Sequence, residues 1–110
     1  MLLSPILRLA ERDRLIWMCP GCKRAHSIPV AGPGQVPKGR WTWNGDVSKP
    51  TFSPSVLVAY DGADAGIDGA PPARCHSFVV DGAMQFLGDC THDLAGQTEA
   101  IPPWPTEESR

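Results

Sequence analysis

The sequence predicts a mainly β fold, one domain of short antiparallel strands over residues 1–110, with a small α+β fold as the competing reading. Three observations predict it. Twelve prolines and eleven glycines in 110 residues break the chain so often that no helical run of ten or more residues survives. Short apolar stretches of strand length lie between those breaks. Asp81-Gly82 stands between two such stretches, and Asp-Gly in that setting is a favoured two-residue hairpin turn. A chain this long buries about two thirds of the surface its unfolded form exposes, enough for one modest core.

Taken in order, Ile6–Ala10 and Arg14–Met18 read as strands joined by a turn at the charged ERDR group. A first helix over Leu2–Asp13 is the alternative there. CPGC follows at 19–22, then a strand over Ala25–Val30 and a loop, AGPGQVPKGR. In WTWNGDVSKPTFSPSVLVAY, Trp41 and Trp43 share a strand face, Asn44-Gly45 signals a turn, and Ser53–Tyr60 reads as a strand that Pro54 confines to an edge or a bulge. Residues 61–73 hold almost nothing to bury and read as a flexible loop or lid. The hairpin CHSFVV–Asp81-Gly82–AMQFL comes next. The tail begins with a short helical turn, runs extended from Pro102, and frays over 105–110. Trp17, Trp41, Trp43 and Trp104 are core anchors on this reading.

Composition narrows the function. The net charge is −2 and Lys and Arg are scattered, so the basic footprint of a nucleic-acid binder is missing. The N-terminal apolar stretch is cut by Pro5, Arg8, Glu11, Arg12, Asp13 and Arg14, which argues against a signal peptide or membrane span. A cytoplasmic setting follows, where clustered cysteines more often hold metal than form disulfides. The partner or substrate expected is a protein or peptide.

The strongest local motif is CPGC between two strands, the shape of a zinc knuckle. Zn2+ suits two or more thiolates in a reducing compartment because it is borderline soft, redox-inert and content with four ligands. The remaining ligands come from the late hairpin. With Asp81 and Gly82 as turn residues, Val80 pairs with Ala83, Phe78 with Gln85 and His76 with Leu87. Alternation then places Cys75 on the face of Ser77, Val79, Met84 and Phe86. If the second strand stays extended, Cys90 and His92 project to that same side, and His76 and Asp89 to the other. Cys19, Cys22, Cys75 and Cys90 form one candidate site, with His92 replacing Cys90 if Gly88 bulges the strand. His26 reads as a strand residue or a partner to a thiolate, with replacement of a cysteine as ligand the alternative.

On the opposite face, an imidazole beside a carboxylate is oriented and made more basic, as a general base requires. TFSPS offers the nucleophile: Ser55 or Ser53, with His76 moving the proton and Asp89 orienting the ring. The bland alternative makes His76 a sheet residue, Asp89 a turn former and the serines loop caps.

In the same order and over nearly the whole chain, CPGC, WTWNGDVSKPTFSPSVLV, CHSFVVDG and QFLGDCTHDLAGQT resemble a family of small phage and prophage proteins of unknown function. Its members often carry the label "ammonia monooxygenase", for which these residues offer no chemical support. The resemblance implies a phage or prophage origin, and hence a host-cell cytoplasm. It also implies kinship with bacterial proteins found beside ubiquitin-like conjugation genes and suspected of being deconjugating peptidases. The matching positions are Ser53 or Ser55, His76, and Asp89 or His92.

Three functions compete. The first is a zinc-stabilised hydrolase, peptidase-like, acting on an extended protein tail in a groove between the TFSPS strand and the His76 face. The second is a non-catalytic zinc-ribbon-like module binding a host or phage protein; a His76 sealed in the core would favour it. The third is a metallohydrolase with only three protein ligands on its zinc.

Overall fold

The computed structural model describes residues 1–11, 13–32, 39–60 and 73–105. Eight strands form two sheets, and every neighbouring pair is antiparallel. The first sheet holds β1 (Arg8–Ala10), β2 (Arg14–Cys19) and β3 (Arg24–Pro29) in chain order. The second holds β4 (Thr42–Trp43), β5 (Phe52–Tyr60), β6 (Ala73–Val80), β7 (Ala83–Phe86) and β8 (Thr98–Ala100), also in chain order. A parallel bridge between Val30 and Trp41 ties the edge of one sheet to the edge of the other. The mainly β expectation holds, and no helix occurs among the described residues. None is therefore long and apolar enough to cross a membrane.

The core forms where the two inner faces meet. Along β2, Leu15, Trp17 and Cys19 are buried while Arg14, Ile16 and Met18 are only partly so, the alternation expected of a strand with one face inward. Trp17 packs on Phe52 of the other sheet with ring centroids 5.2 Å apart. Behind it lie Val56, Cys75, Val79, Met84 and Phe86 from the second sheet, all buried. Trp17 is fully buried, whereas Trp41 and Trp43 are half-buried against the same core. Trp104 is also half-buried, and its backbone N–H donates to the Pro5 carbonyl at 2.8 Å. The Arg8 guanidinium lies 4.2 Å from its ring centroid.

The Asp81-Gly82 hairpin has the register read from the sequence: Val80 faces Ala83, Phe78 faces Gln85, and Leu87 N–H donates to the His76 carbonyl. Both turn residues have positive φ, 51° at Asp81 and 78° at Gly82, as the favoured hairpin turn demands. Pro54 sits in a bulge of β5, where Phe52 faces Val79 and Val56 faces Ser77, so β5 uses two more residues than β6 over that interval.

Three expectations are corrected. The N-terminal helix over Leu2–Asp13 does not form: Leu3 and Ser4 N–H both donate to the Leu7 carbonyl, and the strand starts at Arg8 rather than Ile6. The helical turn at the start of the tail is replaced by hydrogen-bonded turns that lead into β8. Ala73, assigned to the flexible loop, pairs with Tyr60 as the first residue of β6; residues 61–72 and 106–110 lie outside the described residues.

Candidate functional site

Two clusters share strand β6, one on each of its faces. His76 is outward, between the buried Cys75 and Ser77. Its Nε2 lies 3.0 Å from Ser55 Oγ, and its Nδ1 lies 3.1 Å from Asp89 Oδ2. With the Nδ1 proton donated to the carboxylate, Nε2 is free to accept the serine proton, the tautomer that nucleophile activation needs. Leu57 is the cross-strand partner of His76, and Ser55 precedes it by two residues on the same face. The bulge at Pro54 ends just before this point, which brings the hydroxyl diagonally onto the imidazole. Ser53 lies beyond it, its backbone paired with Thr42 and its carbonyl accepting from Thr42 Oγ1. Of the two serines read as nucleophiles, the structure brings Ser55 to His76.

Asp89 is held by the turn that follows β7. The last ladder bond on that side is Leu87 N–H to the His76 carbonyl, after which Cys90 N–H turns back to the Leu87 carbonyl at 3.2 Å. Arg74 Nη1 is 3.8 Å from Asp89 Oδ2, a second, looser partner for the carboxylate. The site is accessible at the surface, with the His76 side chain 26% exposed and Asp89 42% exposed.

On the inner face, Cys19, Cys22, Cys75 and His92 bring their ligand atoms within 4.8 Å of one another, an arrangement that could hold a metal ion. Cys19 Sγ is 3.8 Å from Cys75 Sγ, and His92 Nε2 is 3.4 Å from Cys75 Sγ. CPGC makes the knuckle as expected: Cys22 N–H donates to Cys19 Sγ, and Lys23 N–H donates to the Cys19 carbonyl with Lys23 at φ 58°. Gly21 has a separate reason to be glycine. A Cβ there would lie 2.3 to 2.6 Å from three atoms of the His92 ring. The turn can reach the histidine only with no side chain at that position. Leu94 N–H donates to His92 Nδ1 at 3.2 Å, which aims Nε2 at the sulfurs.

Crowding leaves these thiols reluctant to ionise. Cys19 is pushed up to about 11, first by its hydrogen bond to the Cys22 sulfur and then by burial, against a lowering contact with Cys75. Cys75 is pushed up as well, by its hydrogen bonds to Cys19 and then Cys22, before burial. A cation at the centre would favour the deprotonated thiols, because their negative charge would then be shared with the ion.

Cys90, expected as the fourth ligand, is not in this cluster. Its Sγ accepts from the His76 N–H at 3.2 Å and donates to the His76 carbonyl at 3.1 Å. Thr91 does the same one step on, its Oγ1 accepting from Arg74 N–H at 2.9 Å and donating to the Arg74 carbonyl at 3.2 Å. Two side chains thus continue, along the edge of β6, the ladder that β7 abandons. The extended strand assumed for Cys90 ends at Phe86, and the turn brings His92, the alternative, into the cluster instead. His26 is outside the cluster too: it is a residue of β3, as the strand reading has it, buried and packed edge-on to Trp17 with centroids 6.1 Å apart.

Among the described residues no groove separates the TFSPS strand from the His76 face, because β5 and β6 are direct neighbours in the sheet. The site lies on the outer surface of that pair. Sequence reasoning missed Gly21, Thr91 and Leu94. Only Gly21 carried a signal, as the central glycine of CPGC.

A comparison with curated proteins and one with solved structures each found no match. A family described as the bacterial ubiquitination-like system serine protease (BubE) matches residues 5–87, a span that contains Ser55, His76 and the three clustered cysteines. That description agrees with the kinship to ubiquitin-like conjugation read from the sequence. With three quarters of its length matched, the chain belongs to the BubE family.

Proposed function

We propose that this protein is a zinc-stabilised serine peptidase that cleaves an extended protein tail, with Ser55 as nucleophile, His76 as general base and Asp89 as the group that orients the imidazole. The observation that carries the reading is the pair of contacts on His76, 3.0 Å to Ser55 Oγ and 3.1 Å to Asp89 Oδ2. Both fall within the reach required of a nucleophile, its base and the base's orienter.

Ser55 Oγ attacks the scissile carbonyl carbon while its proton passes to His76 Nε2. The imidazolium gives that proton to the leaving amine nitrogen, leaving an ester on Ser55. Water then attacks the ester, losing its proton to Nε2, and Ser55 regains a proton as the acid product leaves. The family's description names a ubiquitination-like system, so the substrate class proposed is the tail of a ubiquitin-like protein, as precursor or conjugate.

For the metal, zinc is proposed on Cys19, Cys22, Cys75 and His92. Zn–S bonds of about 2.3 Å and Zn–N bonds of about 2.0 Å at a tetrahedral centre put ligand atoms roughly 3.5 to 3.8 Å apart, and the cluster has 3.8 and 3.4 Å. When bound, the ion supplies a crosslink between the knuckle, β6 and the turn that carries Asp89. Four protein donors close a tetrahedral site, which counts against the metallohydrolase reading. The exposure of His76 counts against a purely adaptor role. A cytoplasmic setting, in the host if the gene is phage-borne, fits four free cysteines.

The test is cleavage of a reporter fused behind the tail of a ubiquitin-like protein, with product termini read by mass spectrometry. Wild type should release the reporter at the tail junction. Ser55→Ala should abolish release and Ser53→Ala should retain it; equal activity of Ser55→Ala and wild type rules the reading out.

A further inference from the structure

Register fixes what surrounds the reacting pair. On the outer face of β5 and β6, Leu57 stands directly opposite His76, and Phe78 follows His76 by two residues on that same face. Phe78 lies between Ser77, which faces Val56, and Val79, which faces Phe52, and so stands across from the bulged segment that contains Ser55. The four side chains mark the corners of a quadrilateral. Ser55 and His76 occupy one diagonal, Leu57 and Phe78 the other.

Leu57 is 56% exposed and Phe78 43% exposed. Large exposed apolar residues are otherwise represented among the described residues only by Met1 and Leu2. Their strand neighbours Val56, Ser77 and Val79 are at most 3% exposed, so the sheet had an inward face available for apolar groups. Two large hydrophobes left in water, one on each side of a nucleophile and its base, are a surface that a ligand can cover.

We propose that Leu57 and Phe78 are the specificity-determining residues of this site: they flank the scissile bond and grip an apolar side chain of the substrate tail beside it. The inference rests on the serine peptidase reading and adds a substrate requirement, an extended tail with a large aliphatic or aromatic residue at one of the two positions nearest the attacked carbonyl. The occupant is a peptide segment because the ledges adjoin the Ser55–His76 pair and are spaced as neighbouring side chains of a sheet, a few ångströms to either side.

The experiment uses peptidyl phosphonates, which phosphonylate an activated serine with loss of the leaving group. Matched probes carry Leu or its near-isostere Asn at either of the two residues next to phosphorus. Rates are compared as the Leu/Asn ratio within each protein, so that changes in nucleophile reactivity cancel. Wild type should favour Leu by about tenfold or more, and Leu57→Thr or Phe78→Thr should each cut the ratio by about tenfold, the scale on which apolar pockets discriminate. Leu57→Val and Phe78→Leu, which keep the surface apolar, should give a smaller fall and serve if a threonine variant does not fold. A wild-type ratio near one, or a ratio that no variant changes, overturns the proposal. A small fluorophosphonate without a peptide is the control: if it leaves wild-type Ser55 unmodified, the peptidase reading itself fails, and this inference with it.

Discussion

Gly21→Ala places one methyl group at the junction of the CPGC turn and the Cys/His cluster. The added Cβ would lie 2.3, 2.5 and 2.6 Å from His92 Cε1, Nε2 and Nδ1, about 1 Å inside ordinary van der Waals contact at roughly 3.5 Å. Either the knuckle or the imidazole must retreat by that amount, and a ring that turns about its own side-chain torsions gives way before a hydrogen-bonded backbone turn does. Its Nε2 starts 3.4 Å from Cys75 Sγ, and a retreat of 1 Å removes it as a donor. Four ligands sharing an apparent binding free energy of about 10 to 16 kcal/mol contribute roughly 2.5 to 4 kcal/mol each. The variant should therefore bind zinc about 100- to 1000-fold more weakly. Competition with a chromophoric chelator measures the loss, and the visible spectrum of the cobalt-substituted protein reports a change from three sulfurs and one nitrogen. An unchanged affinity and an unchanged spectrum would refute the placement of His92 as fourth ligand.

Three further outcomes follow from the same geometry. Asp89→Asn should lower kcat by about 100- to 1000-fold, because the amide cannot hold the proton on Nδ1 as the carboxylate does; a loss under threefold in steady-state kinetics would remove Asp89 from its role. Cys90→Ala leaves the His76 N–H and carbonyl without the thiol that bridges them and should cost about 1 to 2 kcal/mol in urea denaturation, with Cys90→Ser losing less. Zinc affinity should rise with pH: Cys19, pushed up to about 11, and Cys75, raised as well, are protonated in the metal-free protein at pH 7. Binding must displace those two protons and any that Cys22 carries, so the association constant should climb at least about 100-fold per pH unit while the pH stays below the thiol range, and calorimetry in buffers of different ionisation enthalpy should count about two to three protons released.

Strand alternation carried much of the site. Once Asp81-Gly82 set the register, parity alone put Cys75 inward and His76 outward, and both stand there. Parity stopped working where the strand stopped. Cys90 was assigned to the inner face by extending β7 four residues past Phe86, but the chain turns at Leu87, and beyond a turn the rule of two carries no information. His92 rather than Cys90 joins the three cysteines for that reason. The choice between Ser53 and Ser55 was open because Pro54 between them announces a bulge without stating its size; the two extra residues it inserts decide which hydroxyl meets the imidazole. β8 was illegible for another cause. Thr98–Ala100 is three exposed residues with no apolar alternation, held by backbone pairing to Ala83–Gln85, and that pairing leaves no mark on composition.

In the proposed function Ser55, His76 and Asp89 act as one nucleophilic unit. The most direct measurement of that unit is site-mapped mass spectrometry of the native protein after reaction with a fluorophosphonate. A single adduct on Ser55, lost in His76→Ala, is the expected result. An adduct on Ser53, or none on any serine of the folded protein, would contradict it.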